Sequence, residues 1–162
     1  MNYFELFEIP ASFQPNPDEL RKKFYALSRK YHPDFFSNAA ADEQAEVLQK
    51  SSEVNKGFKV LSNPDETMRY LLQLKGLLEE EEKYQLPAEF LMEMMELNEL
   101  ALEGNAEKAR LAVEAIQQDI YEPVKSIIAE YQDGITPAES LLKVKDYYFK
   151  KKYLNRVMQG LD

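Results

Sequence analysis

Apolar side chains recur every three or four residues along almost the whole of this 162-residue chain. This spacing constrains the fold more than any other feature, because it places the apolar groups on one side of a helix, whereas a strand needs a repeat of two. Only 5 Gly and 8 Pro interrupt the pattern. The sequence therefore predicts an all-α protein in which each helix buries one face.

Two tetrapeptides with the sequence Asn-Pro-Asp-Glu, beginning at Asn16 and Asn63, mark helix starts in the first half. Each supplies an N-cap side chain, a proline at the first helical position and acidic groups in the first turn. The helix after Asn16 must end near His32, because the residue before a proline avoids the helical conformation. A short helix over residues 3–7 and a long one over about 41–61 are also expected. The predicted buried stripes of the two long helices are Leu20, Phe24, Leu27 and Tyr31, and Val47, Val54, Phe58 and Leu61.

The second half contains signals for three longer helices, at residues 87–103, about 106–132 and about 138–159. Short connections between long amphipathic helices predict an antiparallel three-helix bundle. Pro123 lies inside the middle helix and should kink it. Four consecutive glutamates at residues 79–82 repel one another and favour a solvated linker. The expected organisation is thus a first domain at 1–75, a short acidic linker at 76–84 and a second domain at 85–162.

Composition excludes several classes of function. The chain has no Cys, which rules out disulfides, thiolate metal sites and cysteine nucleophiles within it. Residues 1–76 are nearly neutral, whereas residues 77–162 carry a net charge of −8. This acidity argues against nucleic acid as a partner, since binding phosphates needs clustered Lys and Arg. We find neither a signal peptide nor a membrane span, and expect a cytoplasmic protein that binds no membrane and no cofactor.

The tripeptide His32-Pro33-Asp34 stands between two amphipathic helices and is preceded by a basic stripe. By helix geometry that stripe, made of Lys22, Lys23, Arg29 and Lys30, projects from the side or far face of the helix. Pro33 stiffens the turn and leaves His32 and Asp34 as two presented polar groups. A plain helix-stopping turn, in which Asp34 caps the next helix, is the alternative. A hydrolase or metal enzyme is disfavoured, because one His and one Asp give neither three metal ligands nor a nucleophile with its base.

In these residues the chain resembles the J domain of the DnaJ superfamily. The resemblance rests on positions spread over about residues 1–75, namely Tyr3, Leu6, Lys30 to Asp34, Asn55, Phe58, Leu61, Pro64, Tyr70 and Leu71. It implies that the basic helix and the His-Pro-Asp turn dock on a chaperone ATPase of the HscA or DnaK type and stimulate its hydrolysis of ATP. Catalysis would then take place in that partner and not in this chain.

The helix predicted at residues 87–103 has a second face, which points away from its core stripe. With Phe90 at 0°, an ideal helix places Met92 at about 200°, Met95 at about 140°, Glu96 at about 240° and Glu99 at about 180°. These residues turn away from the core stripe, which contains Phe90, Met94, Leu97 and Ala101. Flexible methionines beside carboxylates suit a surface that binds a partner. Methionines at the buried flanks of a wide bundle are the alternative that periodicity leaves open.

A J domain, an acidic linker and a helical bundle with Phe-Leu-Met-Glu in its first helix are together similar to the HscB family of co-chaperones for iron–sulfur cluster assembly. The family resemblance implies that an IscU-type scaffold protein binds Leu91, Met92, Met95, Glu96 and Glu99, with Tyr153 from the last helix. The cysteine module of some eukaryotic members is missing, which indicates a bacterial form. A J-domain co-chaperone with a different client is the alternative.

Overall fold

The computed structural model describes residues 1–161 and confirms the all-α prediction, since every regular element in that range is helical. The helices are α1 (Tyr3–Leu6), α2 (Pro17–Lys30), α3 (Ala41–Leu61), α4 (Pro64–Leu74), α5 (Ala88–Leu102), α6 (Ala106–Tyr121), α7 (Lys125–Glu130) and α8 (Ala138–Leu161). None of them is both long and apolar enough to cross a membrane. The chain divides into two compact units, Met1–Leu71 and a second one that begins at Leu72.

Both predicted helix starts in the first half are confirmed. The Asn16 side chain accepts a hydrogen bond from the backbone N–H of Glu19 at 3.0 Å, and α2 begins at the next residue, Pro17. Asn63 caps α4 in the same way, accepting from the N–H of Glu66 at 3.0 Å. Each cap satisfies a backbone donor that the first turn leaves without a partner.

Helices α2 and α3 form an antiparallel hairpin in the first unit. The Phe24 ring stacks on Phe58 at 4.0 Å between ring centres. Leu20 lines a groove together with Leu61, whereas Tyr31, at the other end of α2, lines one with Val47. The segment between the two helices, which contains the His-Pro-Asp sequence, is therefore presented at one end of the hairpin.

Helix α1 packs against α3 at a glycine. Tyr3 stacks on Tyr70 at 4.7 Å, and its backbone N–H donates to the Tyr70 hydroxyl at 2.9 Å. A Cβ on Gly57 would lie 2.9 Å from Cδ1 of Tyr3 and 3.0 Å from Cε2 of Phe7. Only a residue without a side chain lets α1 come this close.

We expect Gly57→Ala to lower the free energy of unfolding by about 1 kcal/mol. Overpacking costs about 1–3 kcal/mol, which outweighs the gain of about 1 kcal/mol in helix propensity. Gly160→Ala is the matched control, because Gly160 is also helical and a Cβ added there would have no neighbour within 4 Å. Thermal and urea unfolding followed by circular dichroism should give opposite signs for the two variants. A stabilised Gly57→Ala protein would show that α1 is not tightly packed there.

In the second unit, α5, α6 and α8 pack around one core, as predicted. The buried side chains at its centre are Phe90, Met94, Leu97, Val113 and Leu154. Gly104 has a φ of 82° and ends α5 in the left-handed conformation that glycine adopts without strain. The chain reverses there within a few residues, so that α5 and α6 run antiparallel.

Pro123 breaks the middle helix instead of kinking it. The single helix predicted to about residue 132 is wrong: α6 ends at Tyr121, a 3-10 turn covers Glu122–Val124, and α7 ends at Glu130. Proline lacks the N–H that would continue the hydrogen-bond ladder. Within residues 122–130, Val124 of this turn and Ile128 of α7 are the buried side chains.

The acidic segment before α5 is only partly solvated, which corrects the sequence prediction. Glu79 to Glu81 are exposed, but the Glu82 carboxylate lies 2.7 Å from Lys145 of α8, and this hydrogen bond lowers the Glu82 pKa. Tyr84 stacks on Phe149 at 4.5 Å and donates to Asp146 at 2.8 Å. Burial, and then the bond to Asp146, raise the pKa of Tyr84 to about 12. The segment is therefore fastened to α8.

Candidate functional site

The His-Pro-Asp sequence begins a 3-10 turn, Pro33–Phe36, in the loop that joins α2 to α3. His32 caps this turn: its Nδ1 accepts a hydrogen bond from the backbone N–H of Asp34 at 3.2 Å. The same Nδ1 lies 3.8 Å from Oδ2 of Asp34. His32 thus holds the backbone of Asp34, whose side chain is exposed to solvent.

The Asp34 carboxylate is open to a partner. Its side chain is 87% exposed, and among residues 1–161 no Lys or Arg forms a salt bridge with it. It does not cap the next helix either, since the N-cap of α3 is Ala40, which makes no side-chain bond. The turn therefore presents an exposed carboxylate that has no Lys or Arg partner among residues 1–161, which suits a charge-assisted bond to an arginine of another protein.

Gln44 holds the loop that follows the turn, a role that the sequence pattern does not reveal. Its Nε2 lies 3.0 Å from the carbonyl oxygen of Phe36, 3.1 Å from that of Ser37 and 3.2 Å from that of Ala39. An amide nitrogen has two hydrogens, so three acceptors must share them. A single side chain from α3 thus satisfies three loop carbonyls and fixes where the turn ends.

The four residues of the basic stripe on α2 differ in their exposure. Lys22, Arg29 and Lys30 are exposed. The sequence predicts Lys23 among them, but it is partly buried and its Nζ lies 3.7 Å from Glu8. The three exposed cations lead along α2 toward the His-Pro-Asp turn. Such exposed cations attract an acidic surface.

A second candidate site is the outer face of α5. Met92 and Met95 are 62% and 63% exposed, and Glu96 and Glu99 also face outward. Leu91 is exposed at the edge of this face. Burial at the flanks of the bundle, the alternative that periodicity left open, is thus wrong for both methionines. We call these five residues the α5 face; that they bind a partner stays a prediction.

Tyr153, predicted to join this site, is half-buried on α8. Its ring meets Phe90 edge to face with 6.2 Å between ring centres, and it packs at the margin of the bundle core. Phe90 directly precedes Leu91, so the structure brings Tyr153 to the start of the α5 face. The contact shows a packing role, and a binding role stays a prediction.

The tyrosine-rich segment of α8, to which the sequence assigns no role, also packs. Tyr147 is buried and lies 5.9 Å from the ring of Tyr121. The Phe149 ring stacks on Tyr84, and the Tyr148 ring contacts Phe149 edge to face with 5.2 Å between ring centres.

Within residues 1–161, no three His, Asp or Glu side chains come together as a possible metal site.

Comparison with known protein families gives one match in each half of the chain. Residues 2–70 match the family described as the DnaJ domain, and residues 86–162 match the HSCB C-terminal oligomerisation domain. A J domain with a helical second domain of this kind defines a J-domain co-chaperone.

The full-length relatives then narrow the class to one family. The co-chaperone protein HscB homolog of Vibrio vulnificus (strain YJ016) is 32% identical over 163 residues, covering 97% of this chain and 95% of its own length. The human iron-sulfur cluster co-chaperone protein HscB is 30% identical, covering 99% of this chain and 67% of its own length. The chain belongs to the HscB family of co-chaperones.

Two solved structures of the family share the fold. The chaperone HscB from Vibrio cholerae superposes with a TM-score of 0.74 at 26% sequence identity, covering 99% of this chain and 95% of its own. The crystal structure of human co-chaperone protein HscB gives a TM-score of 0.79 at 26% identity, covering 99% of this chain and 80% of its own.

Proposed function

We propose that this protein is a co-chaperone of iron–sulfur cluster assembly that joins two partners. Its His-Pro-Asp turn and basic helix dock on an HscA- or DnaK-type chaperone and stimulate ATP hydrolysis there. Its α5 face, together with Tyr153, holds an IscU-type scaffold protein and delivers it to that chaperone. The proposal is supported by membership of the HscB family and by the name of the human relative, which refers to iron–sulfur clusters.

The observation that carries the proposal is the exposed carboxylate of Asp34, which no Lys or Arg among residues 1–161 pairs with. His32 and Pro33 fix the backbone around it, so that little conformational freedom is lost when it binds. A charge-assisted bond to an arginine of the ATPase could favour the hydrolysing conformation by about 1–3 kcal/mol. Stimulation is then a shift between two states of the chaperone, and the present chain supplies no catalytic group.

The α5 face supplies specificity for one client. Methionine is flexible and polarizable, so Met92 and Met95 can adapt to an apolar surface of the scaffold protein. Glu96 and Glu99 lie beside them and set the register of a partner that carries positive charge. A general client-holding surface is not needed for this role.

A steady-state ATPase assay tests the proposal directly. The purified chaperone is mixed with increasing concentrations of this protein, with and without the scaffold protein. We expect stimulation by this protein alone and a larger one when the scaffold is present. If the hydrolysis rate does not rise in either mixture, the proposed function is wrong.

The double variant Met92→Ala/Met95→Ala is expected to lose only the part of the stimulation that depends on the scaffold. Its affinity for the scaffold should fall by about tenfold or more, since two central apolar contacts are removed. Isothermal titration calorimetry measures the affinity, and the ATPase assay without scaffold is the internal control. If the double variant matches the wild type in both assays, the chaperone half of the proposal stands and the client site, or the client, is different.

A further inference from the structure

Helix α5 carries another exposed apolar side chain at its C-terminal end, beyond the α5 face. Leu102 is 88% exposed, more than Leu91, Met92 or Met95 on the same helix. With Phe90 at 0°, helix geometry places Leu91 at about 100°, Met95 at about 140° and Leu102 at about 120°. The three side chains therefore follow one line along the helix, about 16 Å long at 1.5 Å per residue.

Helix α5 also has a one-sided charge. It contains four glutamates, at positions 89, 93, 96 and 99, and Glu103 follows directly, but it contains no Lys or Arg. By the same geometry, all four helical glutamates lie at about 180° to 300°, beside the apolar line and not across it. The surface is thus an apolar strip with an acidic border along one side.

This charge pattern determines what kind of partner can cover the strip. A second copy of the chain meeting the same face would bring another α5 with four glutamates and no Lys or Arg, so no positive charge on that helix would complement the acidic border. A protein with an apolar strip and a basic border is complementary in both respects. The occupant is therefore a different protein with clustered Lys or Arg beside its apolar contact.

We infer that Leu102 is a further contact residue for the scaffold protein, so that the binding strip runs from Leu91 to the C-terminal end of α5. The inference rests on the proposed function, because it extends the surface assigned there to the scaffold. It adds a separate anchor one heptad beyond Met95. The scaffold must accordingly offer apolar groups over the whole length of the strip.

Titration calorimetry with the scaffold protein tests this extension on the full chain. Leu102→Ala is expected to weaken binding by roughly three- to tenfold, the usual range for losing one apolar contact within an interface. Leu111→Ala is the matched control, because Leu111 is a 60% exposed leucine on the neighbouring helix α6 and lies off the strip. It should bind as the wild type does. Thermal melts of both variants should match the wild type, since neither leucine is buried.

Three other outcomes would each overturn the extension, and they separate it from the proposed function. If Leu102→Ala binds normally while Met92→Ala/Met95→Ala binds weakly, the scaffold site stands and the strip ends at Met95. If both variants bind normally, the scaffold site itself is wrong. If sedimentation shows a wild-type dimer that Leu102→Ala dissociates without changing scaffold affinity, the strip is covered by a second copy.

Discussion

Replacement of Asp34 by asparagine is expected to abolish most of the stimulation of the partner ATPase, a loss of roughly 5- to 150-fold in coupling. Asparagine keeps the size of the side chain and leaves the backbone N–H that donates to His32 Nδ1 in place. The turn therefore stays folded and only the negative charge is lost. The initial rate of ATP hydrolysis by the chaperone, measured against the concentration of the variant, gives the effect.

A matched control separates the role of Asp34 from a general loss of negative charge. Glu46→Gln removes one exposed carboxylate from α3 in the same unit and should stimulate normally. Binding of the scaffold protein to Asp34→Asn should also be unchanged, because the α5 face is not touched. If a folded Asp34→Asn protein stimulates as well as the wild type does, the docking role assigned to the turn is wrong.

Most of the helical architecture could be predicted because the signals that define it are local. The caps at Asn16 and Asn63 act on backbone N–H groups only three residues away, so the sequence alone reveals them. Apolar spacing likewise gives the inward side of each helix, as Leu20 and Val54 show. These features do not depend on which other part of the chain lies nearby.

Contacts between distant segments could not be predicted in this way. The stacking of Tyr84 on Phe149 and the pairing of Glu82 with Lys145 join residues more than sixty positions apart. A run of glutamates therefore looks fully solvated in the sequence, although one of its members is held by a lysine. The role of Gln44 is hidden for a related reason, because a glutamine within a helix gives no sign that it will satisfy loop carbonyls.

The candidate site on α5 could be predicted from the sequence only in part. Periodicity gives the direction of Met92 and Met95 but not the width of the bundle, so their exposure needed the structure. The family resemblance concerns the start of the helix and gives no reason to single out Leu102. The structure was needed to show that α5 extends to Leu102 and that this side chain is exposed.

Met94→Ala is expected to lower the free energy of unfolding of the second unit by about 2–5 kcal/mol, the usual cost of truncating a buried methionine. Met94 is 1% exposed within the bundle core, whereas Met92, two residues earlier on the same helix, is 62% exposed. Met92→Ala should therefore change stability by only about 0.5 kcal/mol or less. The two variants differ in position alone, since the deleted atoms are identical.

Hydrogen exchange of the α5 and α8 amides measures this contrast within the second unit, without assuming that the whole chain unfolds in one step. We expect faster exchange in Met94→Ala and wild-type exchange in Met92→Ala. Scaffold binding should show the opposite order among folded molecules, with Met92→Ala the more impaired. If Met92→Ala accelerates exchange as much as Met94→Ala does, Met92 belongs to the core, and its effect on binding cannot be assigned to direct contact.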